Sequence, residues 1–179
     1  MRPIKNFFKI HWPIFFAVCF NAFKKDGFMQ LKSTAFENGG KIPSKYTCDG
    51  NNISPPLKIE DVPSNAKSLV LIMDDPDVPH FVRKERMWVH WVIYNMPPKT
   101  TVLAEGAIPP GLVGKGTGGQ LFYQGPCPPD REHRYFFKLY ALDAVLSLSE
   151  GATKEMVEAA MKEHIIGKTE LMGKYVRQK

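Results

Sequence analysis

Cysteine is scarce: Cys19, Cys48 and Cys127 are the only three in 179 residues, too few for a disulfide scaffold and without the C-x-x-C spacing of a structural zinc site. Membrane-spanning length is missing too. The uncharged run from Ile10 to Phe23 has 14 residues, short of the roughly 20 that cross a bilayer as a helix. Nor does the body of the chain carry a block of like charges interleaved with aromatics, the footprint of a nucleic-acid binder. The formal charge of +6 sits mostly at the front, where Arg2, Lys5, Lys9, Lys24 and Lys25 against Asp26 give +4 and leave +2 for residues 29–179. No nucleic-acid partner is expected. Helical periodicity is also rare before Thr153.

What is present fits one compact domain. Hydrophobic residues make up 44% of the chain, enough for a single core, while 15 Pro and 14 Gly predict many turns. Residues 1–28 read apart from the rest, with a basic start, the apolar run and then Lys24-Lys25-Asp26. The run has the length of a signal-peptide core, but no small-x-small cleavage site follows, and Phe16-Ala17-Val18-Cys19 is a poor lipoprotein box. Three readings fit this leader: a weak membrane anchor, an export signal, or sequence upstream of a start at Met29. The last is preferred, because Met29-Gln30-Leu31 leads straight into domain-like sequence. It predicts a cytoplasmic protein of residues 29–179; the other two predict an exported or membrane-associated one. With Cys19 outside the domain, Cys48 and Cys127 remain as a pair that either bridges or packs as two free thiols, and spacing does not decide between these.

From Met29 onward, short apolar runs alternate with turn chemistry. Leu69-Val70-Leu71-Ile72-Met73 predicts a strand stopped by Asp74-Asp75-Pro76-Asp77. Met87 to Met96 predicts a second, with Val89, Trp91 and Ile93 on one face and Trp88, His90, Val92 and Tyr94 on the other, ended by Pro97-Pro98. Tyr135 to Ala141 alternates in the same way and predicts a central strand. The segments from Pro109 to Gly119 and from Gly125 to Pro129 predict loops without ladder partners. Only Thr153 to Ile166 predicts a helix, with Thr153 as N-cap, Val157, Ala160, Met161, His164 and Ile165 on one face, and Gly167 ending it. The whole reads as a mainly β protein, an antiparallel β-sandwich or barrel with one helix in the C-terminal region and long Pro/Gly-rich loops.

Several polar residues sit where they are costly or constrained. His90 lies in an apolar strand between Trp88 and Trp91, where both ring nitrogens need partners. His133-Arg134-Tyr135 opens a strand, so alternation sends His133 and Tyr135 to one face and Arg134 to the other. Asp75-Pro76-Asp77-Val78-Pro79 places carboxylates at a strand end with their direction restricted by proline. Each alone reads as a core histidine or a solvated turn. Together, two imidazoles and a phenol offer donors at neutral pH, and a carboxylate such as Asp75 can orient an imidazole and raise its pKa. That set suits a phosphate monoester or another small oxyanion. His90, His133, Asp75 and Asp77 are also competent metal ligands, but an anion site explains Tyr135 better, so no metal is expected.

Three ordered motifs, Asp75-Pro76-Asp77-Val78-Pro79, Trp88-Val89-His90-Trp91 with Asn95-Met96-Pro97, and Gly125-Pro126-Cys127-Pro128-Pro129 with His133-Arg134-Tyr135, resemble the phosphatidylethanolamine-binding proteins. Tyr46 to Gly50 and Ile53 to Leu57 are similar to its bacterial and archaeal branch, often described as like Raf kinase inhibitor protein. The resemblance covers about residues 29–179. It implies two antiparallel sheets in a sandwich, and an anion pocket of Asp75, His90, His133 and Tyr135 walled by Pro79 and Trp88. Gly125, Cys127 and Pro128 would belong to its rim loop. It further implies a cis peptide before Pro79, a homodimer, and a non-enzymatic binding role for phosphate-bearing small molecules, phospholipid headgroups or phosphorylated protein groups, with a protein kinase or protease as a regulated partner. No cofactor is implied. The long helix that gates the pocket in eukaryotic members has no counterpart after Lys168, which predicts a more open pocket or one closed by a partner subunit. The alternative is a hydrolase-like enzyme using an Asp–His pair, or Cys127 as nucleophile near His133.

Overall fold

The computed structural model describes residues 28–178; the expected leader falls, but for Phe28, outside them. Two antiparallel sheets form the body. The smaller joins β1 (Gln30–Ser33), β2 (Leu57–Glu60) and β5 (Val102–Leu103) in the order β1-β2-β5. The larger comprises β3 (Ser68–Asp75), β4 (Trp88–Met96), β6 (Leu112–Val113), β7 (His133–Leu142) and β8 (Ile165–Tyr175), ordered β6-β4-β3-β7-β8. The one α-helix among the described residues, α1 (Lys154–Met161), lies against the outer face of the larger sheet. Thr153 is its N-cap, accepting from the Met156 N–H.

The larger sheet is therefore covered on both sides, which is why β3 is a continuous apolar run rather than an alternating one. Leu69, Leu71 and Met73 pack with Leu57, Ile59 and Leu103 of the smaller sheet. Val70 and Ile72 pack with Leu146, Val157 and Met161 toward the helix. β7 lies between β3 and β8, one place from the sheet's centre.

Several expectations change. β3 does not stop at Met73 but runs through Asp74 and Asp75, because each carboxylate finds a partner. Asp74, fully buried, takes Lys154 of α1 at 2.5 Å and Lys138 of β7 at 2.8 Å. In β4, Met73 pairs with Trp91 and Asp74 with Val89, so His90 is the extra residue of a β-bulge. The bulge breaks simple alternation. His90 and Trp91 both face the side of Ile93, while Val89 joins Val92 and Tyr94 on the helix side.

A second irregularity lies at Asn95, whose φ of 56° is in the left-handed region. Its side chain donates to the Leu146 carbonyl at 2.9 Å and accepts from the Leu146 N–H at 2.8 Å, tying the end of β4 to the segment that leads to α1.

The helix expected over Thr153 to Ile166 ends at Met161, and Lys162–His164 make one 3-10 turn. Ile165 and Gly167 belong instead to β8, which pairs with β7 from Leu142 back to His133. His164 leaves the apolar face and hydrogen-bonds Asp143 at 2.9 Å. The expected loop around Pro109 to Gly119 contains β6, paired with Ile93 and Tyr94. The bond before Pro79 is trans. The chain instead turns after Pro79, whose carbonyl accepts from the Val82 and Arg83 N–H groups.

Candidate functional site

Three strand ends converge at one end of the larger sheet: the last residue of β3, the bulge of β4 and the first residues of β7. β3 and β7 are neighbours, and there the Asp75 Oδ2 lies 2.7 Å from Nδ1 of His133. The other Asp75 oxygen accepts from the Asp77 N–H at 2.7 Å. Burial pushes the Asp75 carboxyl up, against the pull of the His133 hydrogen bond. His133 is 1% exposed, and its Nε2 lies 2.8 Å from Oδ1 of Asp130. Carboxylates only accept, so each contact needs its own proton: one on Nε2 toward Asp130 and one between Nδ1 and Asp75.

His90 is also buried, but its bonding differs. Its Nδ1 meets the Gln124 carbonyl oxygen at 2.7 Å, and that oxygen can only accept. The proton is therefore on Nδ1. Burial lowers the ring's pKa to about 4, so at neutral pH Nε2 is a bare acceptor. Nε2 has no hydrogen-bond partner among the described residues, and neither has the Tyr135 hydroxyl. Tyr135 meets the His90 ring edge-on at 5.3 Å and stacks on His133 at 6.4 Å. Two buried polar atoms without partners beside one cavity are a costly arrangement, each worth about 1–3 kcal/mol.

The cavity has a volume of about 260 Å³ and is lined by Asp75, Trp88, His90, Gly125, Cys127, Pro128 and His133. Val78, Val82, Gln124 and Pro129 complete it. Two expected residues are absent from its wall. Pro79 is buried in the turn that follows Val78, so Val78 and Val82 supply the apolar side in its place. Tyr135 is wholly buried behind the two imidazoles. The expectation that both histidines act as donors is corrected as well: His90 presents an acceptor, and the imidazole that the Asp75 carboxylate orients is His133. Asp77 lies outside the cavity wall, held by the N–H, Nε and Nη2 of Arg134 at 3.0, 2.8 and 2.8 Å. That clamp lowers its carboxyl to a pKa of about 2.

Gln124 is the organiser that sequence reasoning missed. Its carbonyl fixes the His90 tautomer, its N–H donates to the His90 carbonyl at 3.1 Å, and its side chain accepts from Trp88 Nε1 at 3.1 Å. An isolated glutamine before a Gly-Pro loop carries no signal of that work. The rim is fastened to residues 46–52. The Gly125 N–H donates to Asn52 Oδ1 at 2.7 Å, the Cys48 N–H to the Pro126 carbonyl at 3.1 Å, and the Tyr123 hydroxyl to the Tyr46 carbonyl at 2.8 Å. Cys48 and Cys127 form a disulfide, with Cα atoms 5.4 Å apart. A side chain at Gly125 would strike the Tyr46 carbonyl and the Thr47 backbone, so only glycine allows this approach. With its sulfur in the disulfide, Cys127 has no thiol to act as a nucleophile, which removes that part of the enzymatic alternative.

The sequence profile of the phosphatidylethanolamine-binding proteins matches residues 32–176. The chain belongs to this family. Within it, the similarity is to the bacterial and archaeal branch named UPF0098. A UPF0098 protein of Chlamydia trachomatis is 55% identical over 147 residues, covering 82% of this chain and 98% of the relative. One from Methanothermobacter thermautotrophicus is 54% identical over 155 residues, covering 83% and 99%. Among solved structures, the putative phosphatidylethanolamine-binding protein homolog CT736 of Chlamydia trachomatis superposes with a TM-score of 0.83 at 54% identity, covering 84% of this chain and 99% of that one. YbcL of E. coli, described as a new member of the mammalian family, gives 0.76 at 26% identity over 85% and 100%. The mainly β architecture of two antiparallel sheets with one helix in the C-terminal region is thus the family's fold.

Proposed function

We propose that the chain is a binding protein, rather than an enzyme, for small molecules or groups bearing a phosphate monoester. The observation that carries this reading is the unlike pair of imidazoles on one cavity. His133, set between carboxylates, presents N–H donors, whereas His90 offers a buried acceptor at Nε2. A phosphate group that carries one proton matches both, with oxygens to accept and one P–O–H to donate. A monoester, whose second pKa is about 6, takes up that proton on binding. The apolar walls of Trp88, Val78, Val82 and Pro128 would exclude water and strengthen those bonds. Binding without turnover is supported by the lining itself, which contains no serine, threonine or free thiol.

Calorimetric titration of the full chain with inorganic phosphate, phosphoethanolamine and sulfate tests the reading. Sulfate carries no proton at neutral pH and would leave His90 Nε2 facing another acceptor, so phosphate is expected to bind at least about tenfold more tightly. Equal affinity for sulfate, or no binding of either phosphate compound, would count against the site. Turnover of a phosphoester that disappears in His133→Ala would replace the binding role with a hydrolytic one.

A further inference from the structure

Nε2 of His133 is the outward nitrogen of the ring that Asp75 orients, and in this structure the Asp130 carboxylate holds it at 2.8 Å. Asp130 comes from the loop three residues before His133, immediately after Pro128-Pro129, and its side chain is 35% exposed where His133 is 1%. The contact therefore joins a loop residue in reach of water to a ring that is buried. It is an intramolecular version of the interaction that an anionic ligand would make with the same nitrogen.

The Asp130 carboxylate also has another place to go. On the far side of Pro128 and Pro129 lies a second cavity, lined by Asp130, Arg131 and Arg177 among others. Nη1 of Arg131 is already 3.9 Å from the second Asp130 oxygen. Arg177 is paired with Asp49 at 3.0 Å, so a change of side-chain rotamer toward this cavity would free Nε2 while keeping the carboxylate beside the Arg131 guanidinium.

We propose that Asp130 is a built-in competitor for the anion subsite, occupying the His133 Nε2 position that a bound phosphate oxygen needs, so that ligand binding displaces it. This rests on the phosphate-binding reading above and adds a threshold to it. If the competent, Asp130-out state is a fraction f of the molecules, apparent affinity is reduced by that fraction, so about 10% occupancy weakens binding about tenfold. A weakly binding anion such as acetate is excluded, while a phosphate group that also engages His90 overcomes the carboxylate. Asp130 thereby sets which anions enter.

The test compares inorganic phosphate and acetate binding by calorimetry in the wild-type chain, Asp130→Ala, Asp130→Asn and Glu132→Gln. Glu132 is an exposed acid two residues away from Asp130 that makes no hydrogen bond or ion pair to His133, so its variant controls for general loss of negative charge. Both Asp130 variants are expected to bind phosphate at least about tenfold more tightly and to gain measurable acetate binding, with Glu132→Gln close to wild type. Unchanged or weaker phosphate binding in the Asp130 variants overturns the proposal, weaker binding making Asp130 a support for the ring's orientation instead. Equal tightening in Glu132→Gln overturns it in favour of bulk charge. Absence of phosphate binding in all four removes the anion-site reading and this inference with it. Binding by the wild type with no gain in the variants removes this inference alone.

Discussion

Burial takes the His90 imidazole away from water, and its charged form loses most, so its pKa falls from 6.5 to about 4. Nitrogen chemical shifts should show the Nδ1–H tautomer at pH 7 and little protonation above pH 5. The same displacement acts on stability. A base whose folded pKa lies below its unfolded value binds protons more readily when unfolded. Stability therefore falls as pH is lowered from 6.5 to 4, and the loss is complete below that window. In denaturant melts His90→Gln is expected to lose roughly 2–3 kcal/mol less than wild type across that range; equal losses would mean that the ring is not desolvated. At this scale the sequence was legible where strands are regular. His133 and Tyr135 share a face and Arg134 takes the other, as alternation predicts. The face of His90 was not, because a bulge inserts one residue with no mark in composition, and Asp130 had no signal, since only the folded loop brings it to His133.

Apolar runs and proline boundaries announced β3, β4 and β7 as elements. β8 was hidden because it is an edge strand whose outward positions carry Lys168, Glu170 and Lys174, with Gly167 and Gly173 interrupting the apolar pattern. Both glycines answer to packing rather than to turns; a side chain at Gly173 would meet Ile42 and Phe36 at 2.5 to 2.9 Å. The helix was overextended because His164 and Ile165 happen to continue its apolar period into a strand. Its hold on the sheet is electrostatic as well as apolar. Lys154 reaches the fully buried Asp74, which also takes Lys138. Removing the shared carboxylate leaves an ammonium that is 11% exposed with only the more distant Glu158, at 3.7 Å, as partner. Asp74→Ala is expected to cost about 3–5 kcal/mol in urea denaturation, more than Lys154→Met, which leaves Asp74 paired with Lys138. The reverse order would show that the triad does not anchor α1.

At the scale of the molecule, the sandwich supplies a stiff floor and a fastened rim. The floor is the end of a sheet buried on both faces. The rim is the loop of Gly125 to Pro129, tied to residues 46–52 by backbone bonds and by the Cys48–Cys127 disulfide. That bridge spans 79 residues, so Cys48→Ala/Cys127→Ala is expected to lower unfolding free energy by about 2–4 kcal/mol relative to the oxidised chain. An unchanged denaturant midpoint would show that the rim is held without it. The family motifs in the sequence thus describe one machine part: strand ends that carry the imidazoles, and loops that hold a wall beside them. The central claim is that His90 and His133 together receive a phosphate group. Imidazole resonances of both residues, followed while inorganic phosphate is titrated into the full chain at pH 7, test it most directly. The account predicts that both shift in a saturable way, His90 at Nε2 and His133 as Asp130 leaves. Phosphate binding that leaves both rings unmoved would contradict it.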